Sequence, residues 1–317
     1  MKYKSFGKTS MRLSEVGFGS WAIGGNSYGQ VDKNDSLAAL AKAEELGCNF
    51  VDTAAVYGES EKILGEFLQS RRDKWYLATK YSGQQPGMTA TLEEQLKTLK
   101  TDYVDFYQIH WAPGKREHNL YEELYKLKQS GKVRYIGVSL NNLLNIDYVL
   151  DKTSIDGFQV PFSLLDPYPL MRRLEKVRKE NMGVIVRSCL HYGFLTGKYA
   201  EDSTFTDSND QRHEWSTQKI KETVAMVEQF RFLEEQAGSM TLAAARYPLS
   251  FPEVTTVIMS TKNAAQATMN FGEVPKAELS ADDQLEIAKI QNRLGLTTIP
   301  LKNKIKEAIS GFRQKWL

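Results

Sequence analysis

Four ionisable side chains stand at or just beyond the ends of short segments rich in β-branched and aromatic residues. They are Asp52 in FVDT, Tyr57 in the AVYG that follows, Lys80 in LATK and His110 in YQIH. At the carboxyl ends of adjacent parallel strands, such side chains would meet at one mouth of a barrel. Each also has an ordinary explanation: a helix cap for the aspartate, packing for the tyrosine, a surface position for the lysine and a core position for the histidine. Their joint placement favours a shared chemical role.

Proton transfer to a carbonyl accounts for this combination. A phenol has an ordinary pKa of about 10 and is a poor acid at neutral pH, whereas a nearby ammonium favours the phenolate and lowers that pKa. A carboxylate paired with Lys80 keeps the ammonium charged and oriented. Tyr57 can then donate a proton to a carbonyl oxygen while hydride arrives at the carbon. A neutral His110 would orient the carbonyl and hydrogen-bond the developing oxyanion.

The strand-like segments recur at a regular distance along the chain. They span residues 15–21, 48–53, 75–80, 103–110, 133–139, 156–160, 183–189 and 255–259. Six of the seven steps between their ends are close to the roughly 30 residues of a βαβ unit, and amphipathic stretches lie between them. Eight such units predict a parallel (β/α)8 TIM barrel. A doubly wound open sheet is the alternative, because periodicity alone does not show closure.

The remaining segments predict additions to the barrel rather than a second domain, so residues 1–317 are predicted to form one domain. Tyr3–Ser5 and Met11–Leu13 flank Gly7–Lys8, which predicts an N-terminal β-hairpin that closes the barrel bottom. The polar residues 200–216 are expected to form a lid, with helices near 217–236 and 242–249 after it. A capped helix is expected at 281–293, and a C-terminal helical extension at 296–317 carries an apolar stripe suited to pack on the barrel or a neighbouring subunit.

The composition excludes several classes of protein. The 317 residues carry 41 Lys and Arg against 39 Asp and Glu, so the net charge of +2 gives no electrostatic case for nucleic acid or a membrane surface. An apolar run of about 18 residues and a signal peptide are both absent, which predicts a cytoplasmic globular enzyme. Cys48 and Cys189 stand alone, which argues against a disulfide framework. No metal ion is expected, and the oligomeric state stays open.

The chain resembles the aldo-keto reductases from about Tyr3 to Gly295. The stretches that carry the resemblance include GFGSWAIGG (17–25), NFVDTAAVYGESEKILGEFL (49–68), YVDFYQIHW (103–111) and TTVIMSTKNAAQATMN (255–270). The resemblance implies NADP(H)-dependent interconversion of a small-molecule carbonyl and its alcohol. It assigns Tyr57 as the proton donor, Lys80 and Asp52 as its tuning pair, and His110 as the residue that orients the substrate.

The resemblance also implies a cofactor that lies extended across the barrel mouth without a Rossmann unit, and no G-x-G-x-x-G opens a helix here. The residues implied to hold it follow several strand ends. They are Ser20 and Trp21 beside cofactor and substrate, Ser139 and Gln159 at the nicotinamide carboxamide, Arg187 and Ser188 at the nicotinamide ring, Leu190, Gly193, Leu195 and Lys198 over the pyrophosphate, and Ser260, Thr261, Lys262, Gln266 and Asn270 at the adenosine 2′-phosphate and adenine.

Several positions depart from the family pattern. Leu140 stands where an asparagine commonly follows the serine, and Arg187 replaces the usual aromatic ring, although a planar guanidinium can also stack. Ser260 stands where glycine is usual and Lys262 where arginine is common, which keeps a point charge but loses the bidentate fork. The resemblance after the eighth strand, where Lys262 still supplies a positive charge, favours NADPH over NADH. Gln159 has a competing interpretation as a buried amide that only satisfies its neighbours.

Two other functions remain open from the sequence. The same scaffold can serve as an NADPH-binding regulatory subunit that resembles channel β-subunits and turns over little substrate. Alternatively, Arg187, Tyr192 and the polar lid would suit a sugar-like or other polar carbonyl substrate. The substrate itself is determined by variable loops and is not predicted.

Overall fold

Eight parallel strands close into a barrel in the computed structural model, which describes residues 1–25, 28–29, 31–140 and 145–298. The ten strands within these ranges are β1 (Tyr3–Ser5), β2 (Arg12–Ser14), β3 (Val16–Gly19), β4 (Phe50–Asp52), β5 (Tyr76–Tyr81), β6 (Val104–Ile109), β7 (Val133–Ser139), β8 (Gly157–Pro161), β9 (Gly183–Arg187) and β10 (Thr256–Ser260). Strands β3 to β10 are neighbours in chain order, and β10 pairs with both β9 and β3. The predicted TIM barrel is confirmed, and the open sheet is excluded.

The strand register brings the predicted polar residues to the carboxyl-terminal mouth of the barrel. All residues of β4 and β6 are buried, because one face of each strand points into the barrel and the other packs against helices. Asp52 lies opposite Ala78, two residues before Lys80 on the neighbouring strand. Lys80 in turn lies opposite Gln108. These pairings place the carboxylate and the ammonium at adjacent strand ends.

Helices surround the barrel, as the amphipathic stretches predict. Within the described ranges the α-helices are α1 (Lys33–Glu45), α2 (Ser60–Leu68), α3 (Met88–Thr98), α4 (Asn119–Gln129), α5 (Ile146–Lys152), α6 (Tyr168–Met171), α7 (Leu174–Glu180), α8 (Thr217–Glu228), α9 (Leu233–Ala237), α10 (Met240–Leu249), α11 (Ala264–Ala267) and α12 (Ala281–Arg293). The predicted start of α12 is confirmed by Ser280, whose hydroxyl accepts from the Asp283 amide at 3.0 Å. None of the helices described combines the length and apolar character needed to cross a membrane.

The helical stretch predicted over 217–236 is two helices rather than one. The chain turns between α8 and α9, and the side chain of Phe230 in this turn is fully buried in the main core. Burial of an aromatic ring contributes more than the helical hydrogen bonds lost at such a break. The predicted C-terminal extension lies outside the described residues from position 299 onward.

The predicted hairpin is confirmed, and it plugs the bottom of the barrel with one aromatic ring. Phe6, in the turn between β1 and β2, is fully buried, and its ring centre lies 5.0 Å from that of Phe106. A Cβ added at Gly157 or at Gly183 would lie 2.4 Å from the Phe6 ring. Two barrel strands therefore need glycine where the ring enters, because any side chain there would collide with it.

Candidate active site

A buried ion pair joins the ends of β4 and β5. The Lys80 ammonium donates to the Asp52 carboxylate at 2.5 Å, and the two side chains are 0% and 1% exposed. The same ammonium donates to the Thr53 carbonyl at 2.7 Å. A charge removed from water in this way needs both a counter-ion and further hydrogen bonds, and this lysine has both.

The second carboxylate oxygen of Asp52 is held by two amide side chains. Its Oδ1 accepts from Gln159 at 2.9 Å and from Gln108 at 3.1 Å, and Gln159 itself accepts from the Ser139 hydroxyl at 3.1 Å. Sequence analysis missed Gln108. The signal was present, because Gln108 precedes His110 by two residues and so falls on the same face of an extended segment.

Tyr57 lies in the loop after β4 with its hydroxyl turned towards the ion pair. The Lys80 ammonium is 3.4 Å from this hydroxyl, and the ring stacks on that of Trp21 with centres 5.8 Å apart. Burial raises the pKa of Tyr57 above its ordinary value, and the charge of Lys80 lowers it only in part. The expected net lowering of this pKa is therefore wrong, because loss of hydration outweighs the ammonium. Tyr57 consequently carries its proton at neutral pH.

His110 faces Tyr57 across the mouth of the barrel. The two ring centres are 5.9 Å apart and nearly perpendicular, and Nδ1 of His110 lies 2.8 Å from the Ser82 hydroxyl. Burial lowers the pKa of His110 to about 3, with smaller contributions from the charges of Lys80 and Arg187. The imidazole is therefore neutral at neutral pH, as the sequence predicts. Ser82 was missed, although it follows Lys80 by two residues.

A groove with a cavity volume of about 650 Å³ begins at Tyr57 and His110 and runs across the barrel mouth. Most of the residues predicted to hold a cofactor line it. These residues are Ser20, Trp21, Gln159, Arg187, Ser188, Leu190, Gly193, Lys198, Ser260, Lys262 and Gln266. The structure thus brings together side chains from the ends of β3, β8, β9 and β10, which lie far apart in the sequence.

Four predicted cofactor residues lie behind the groove wall instead. Ser139 donates to Gln159, and Leu195 belongs to the hydrophobic core. Thr261 is fully buried and accepts a hydrogen bond from the Asn270 amide at 2.9 Å. In this arrangement these side chains support the groove rather than line it.

Three cations lie close together at one end of the groove. Lys262 donates to the carbonyl of Tyr28, and its own backbone amide donates to Gln266 Oε1 at 2.8 Å. Lys198 and Arg212 line the same end. This combination suits a phosphate-bearing ligand, since ammonium and guanidinium groups bind phosphate oxygens. Among the residues described, no three His, Cys, Asp or Glu side chains cluster as metal ligands would.

Arg212 organises the predicted lid, residues 200–216, which we call the strap. Its guanidinium makes a two-point ion pair with Asp210, with nitrogen–oxygen distances of 2.9 and 2.5 Å. It also donates to the Tyr192 carbonyl at 3.0 Å and to the Tyr199 hydroxyl at 2.6 Å. Asp210 pairs with Tyr28 through a backbone bridge, which fastens the strap to the loop after β3. Arg212 was missed because its contacts with Tyr192 and Tyr199 join separate segments, although Asp210 lies only two residues away.

The loop after β9 adopts backbone conformations that are uncommon for side-chain-bearing residues. Ser188, His191 and Tyr192 have φ values of 58°, 44° and 57°, and all three residues line the groove. Left-handed backbone costs free energy at residues other than glycine, and it concentrates at functional sites. The observation places this loop within the site and not merely next to it.

The sequence model of the aldo/keto reductase family matches residues 15–292. The chain therefore belongs to the aldo/keto reductase family. Together with the closed barrel, this membership makes it a nicotinamide-dependent oxidoreductase of carbonyls and alcohols.

Several individual proteins are similar over nearly their full length. The aldo-keto reductase YhdN of Bacillus subtilis is 28% identical over 313 residues, which cover 92% of this chain and 93% of that protein. L-galactose dehydrogenase of Arabidopsis thaliana is 27% identical, with 96% of each chain covered. The solved structure of a glycerol dehydrogenase from Gluconobacter oxydans superposes with a TM-score of 0.77 at 26% identity and covers 95% of this chain and 98% of that one.

Proposed function

We propose that this protein reduces a small aldehyde or ketone with NADPH, reversibly, and that Tyr57 is the proton donor. The observation that supports the proposal is the position of the Lys80 ammonium, which lies 2.5 Å from Asp52 and 3.4 Å from the Tyr57 hydroxyl. One cation thus contacts both a fixed counter-ion and the phenol. An arrangement of this kind stabilises the phenolate that forms as the proton leaves.

The chain's own residues perform the acid–base part of the reaction. Tyr57 gives its proton to the carbonyl oxygen, and Lys80 stabilises the phenolate that remains while Asp52 compensates the ammonium. The proposed reaction needs the neutral His110 to carry its proton on Nε2, so that Nδ1 accepts from the Ser82 hydroxyl 2.8 Å away and Nε2–H donates a hydrogen bond to the carbonyl oxygen. The nicotinamide supplies the hydride to the carbonyl carbon when it is bound. In the oxidation direction the alcohol proton returns to the Tyr57 phenolate, and His110 keeps its own.

The polar and charged residues that line the groove suit a dinucleotide. We assign Gln159 and Arg187 to the nicotinamide end, and Lys198, Lys262 and Gln266 to the phosphate and adenosine end. The positive charge at the proposed phosphate and adenosine end supports NADPH rather than NADH, since the 2′-phosphate adds negative charge that a cation compensates. Ser20 links the groove to the ion pair, because it lines the groove and its hydroxyl donates to the Asp52 backbone carbonyl at 2.8 Å.

The substrate side of the groove supports a polar carbonyl compound, such as a sugar-like one. Arg187, His191 and Tyr192 line the same groove as Tyr57, and they offer several hydrogen-bonding groups to a hydroxylated substrate. The names of two similar proteins, L-galactose dehydrogenase and glycerol dehydrogenase, refer to polyhydroxylated compounds. This similarity supports polyhydroxylated compounds as the class of substrate, and it does not identify one compound within that class.

A regulatory subunit that binds NADPH with little turnover is the second candidate, and the complete acid–base set argues against it. The test is turnover of a panel of aldehydes, ketones, sugars and polyols with NADPH and with NADH. We expect carbonyl-dependent oxidation of NADPH to exceed that of NADH. Tight NADPH binding without turnover across the panel would contradict the proposed enzyme and favour the regulatory subunit.

Two further expectations remain predictions. The whole chain is predicted to form one domain, and the family match covers residues 15–292 of it. The cytoplasmic location remains a prediction as well. Proteolysis of the intact chain and its size in solution would test the domain prediction and show the oligomeric state.

A further inference from the structure

The start of helix α2 carries a buried carboxylate that the proposed mechanism does not use. Glu61 is only 7% exposed, and its Oε1 accepts from the Thr79 hydroxyl at 2.6 Å and from Gln95 Nε2 at 2.8 Å. The same Gln95 nitrogen donates to the Lys80 carbonyl at 3.1 Å. Glu61 therefore contacts β5 at Thr79 and, through one amide, at the backbone of Lys80.

The preceding residue makes the corresponding contact with β4. The Ser60 hydroxyl donates to Ser20 Oγ at 2.6 Å and lies 2.9 Å from the Thr53 hydroxyl. Ser20 donates in turn to the carbonyl of Asp52 at 2.8 Å. Two consecutive residues of α2 thus reach the two strand ends that carry the catalytic ion pair.

We infer that Glu61, with Ser60 beside it, is a positioning residue that holds the backbone of Lys80 so that its ammonium stays between Asp52 and Tyr57. The inference rests on the proposed function, because it assigns the distance from Lys80 to Tyr57 a role in proton transfer. The Lys80 side chain is fully buried and has little room to change rotamer, so a shift of its backbone displaces its ammonium. A misplacement of about 1 Å at a reacting group is enough to slow a reaction by about a hundredfold.

The identity of the residue supports this role over simple packing. A buried carboxylate is costly unless it is hydrogen-bonded, and an apolar residue would fill the same space without that cost. The oxygen of Glu61 accepts hydrogen bonds from the Thr79 hydroxyl and the Gln95 amide, and an apolar side chain would remove the acceptor that the Thr79 hydroxyl uses. The contact also orders Gln95, whose Oε1 accepts from the Tyr107 hydroxyl at 2.9 Å.

The charged and titratable groups around Glu61 come from each neighbouring element. Lys80 belongs to β5 and Tyr107 to β6, while Asp52 lies behind Lys80 on β4. On the outer side, Glu59 pairs with Lys62 at the exposed start of α2, and Glu94 of α3 pairs with Lys97. These outer pairs are exposed to water and so exert weak, screened fields. The buried contacts of Glu61 therefore act through geometry at Lys80.

The experiment compares Glu61→Met, which keeps the length of the side chain but cannot accept these hydrogen bonds, with Glu61→Gln, which keeps an acceptor oxygen. Glu59→Met is the matched control, since it makes the same substitution at an exposed position two residues away. For Glu61→Met we expect kcat to fall at least about tenfold and the apparent pKa of Tyr57 to rise by about one unit, because the ammonium moves away from the phenol. KM and the Kd for NADPH should stay within about twofold, and Glu61→Gln should restore most of kcat.

A purely structural role would lower the melting temperature and leave the pH profile of the active protein unchanged. The pKa of Tyr57 is read independently of turnover, from the difference in near-ultraviolet absorbance between each variant and the same variant with Tyr57→Phe. An unchanged pH profile in Glu61→Met, or a Glu61→Gln variant as impaired as Glu61→Met, would overturn the inference. If Glu61→Met does not fold, Gln95→Met severs the same link and must show the same shift.

The outcome also separates this inference from the proposed function. If Tyr57→Phe retains turnover in the otherwise unchanged protein, the proposed proton donor is wrong. If Tyr57→Phe is inactive while Glu61→Met and Gln95→Met behave as the unmodified protein does, only the positioning role fails.

Discussion

Lys80 and Asp52 form an ion pair 2.5 Å long that is sealed from solvent, and the pair is contributed by neighbouring strands of the barrel. Removal of both charges from water is costly, and the pair persists because every polar atom of it has a partner. Gln108, Gln159 and the Thr53 carbonyl supply those partners. The ion pair therefore contributes a fixed ammonium position to the site, more than it contributes net stability.

Loss of one partner of this pair should be strongly destabilising. Lys80→Met leaves the Asp52 carboxylate buried and unpaired, so we expect the free energy of unfolding to fall by about 3–5 kcal/mol in urea titrations. The double variant Lys80→Met with Asp52→Asn should recover most of this loss. Lys62→Met, which breaks an exposed pair with Glu59, should change the value by less than about 1 kcal/mol. A Lys80→Met variant as stable as the Lys62→Met control would contradict the account.

The neutral His110 should make the protein sensitive to acid. Its pKa is about 3 in the folded protein against an ordinary value of 6.5, so between these values the unfolded chain binds a proton that the folded chain excludes. Stability should therefore fall as the pH falls through this window, with a slope of up to about 1.4 kcal/mol per pH unit from this residue. His110→Gln should weaken the dependence of the free energy of unfolding on pH, measured by denaturation at several pH values. The exposed His213→Gln is the control, and equal slopes for both variants would contradict the prediction.

Lys262 should distinguish the two nicotinamide cofactors. Lys262→Ala removes a cation from the proposed phosphate and adenosine end of the groove. We therefore expect the Kd for NADPH to rise about tenfold or more, which is the effect of losing one charge-assisted hydrogen bond. The Kd for NADH should change by less than about threefold. Lys276→Ala removes an exposed lysine that pairs with Glu273 and should affect neither value. Fluorescence titration measures all of these constants, and equal losses for both cofactors would remove the assignment of Lys262.

The barrel bottom offers a test of the fold that leaves the chemistry untouched. Phe6→Ala empties the space between β8 and β9 that the ring fills, so the free energy of unfolding should fall by about 3–5 kcal/mol. Gly183→Ala should also destabilise the protein, because its Cβ would meet the same ring. In the Phe6→Ala background, Gly183→Ala should lower the free energy of unfolding much less than it does in the otherwise unchanged protein. Additive losses in the double variant would contradict the proposed collision.

The architecture was predictable because a local sequence pattern indicates each barrel strand. The segments ending at Asp52, Lys80 and His110 read as strands from β-branched and aromatic residues alone, and parallel strands must place such ends at one mouth. The hairpin was also predictable, but its Phe6 plug was not. The need for glycine at positions 157 and 183 depends on a ring that arrives from more than 150 residues away.

The side chains that support the proposed catalytic residues differ in how far the sequence indicates them. Gln108 and Ser82 carry a local signal, since each lies two residues from a proposed catalytic side chain on an extended segment. Glu61 carries none, because its partners belong to other elements, and of the Arg212 contacts named above only the ion pair with Asp210 is local. The direction of the Tyr57 pKa was mispredicted, since desolvation depends on packing that a pairwise argument between a phenol and an ammonium leaves out.

The central claim, that Tyr57 donates the proton, is tested most directly by the rate of a single turnover. NADPH-bound Tyr57→Phe is mixed with the best carbonyl substrate of the panel, and the loss of NADPH absorbance is followed in time. We expect hydride transfer to slow by about 10²–10⁴-fold while the Kd for NADPH changes by less than about twofold. A variant that transfers hydride within about tenfold of the unmodified rate would contradict the assignment.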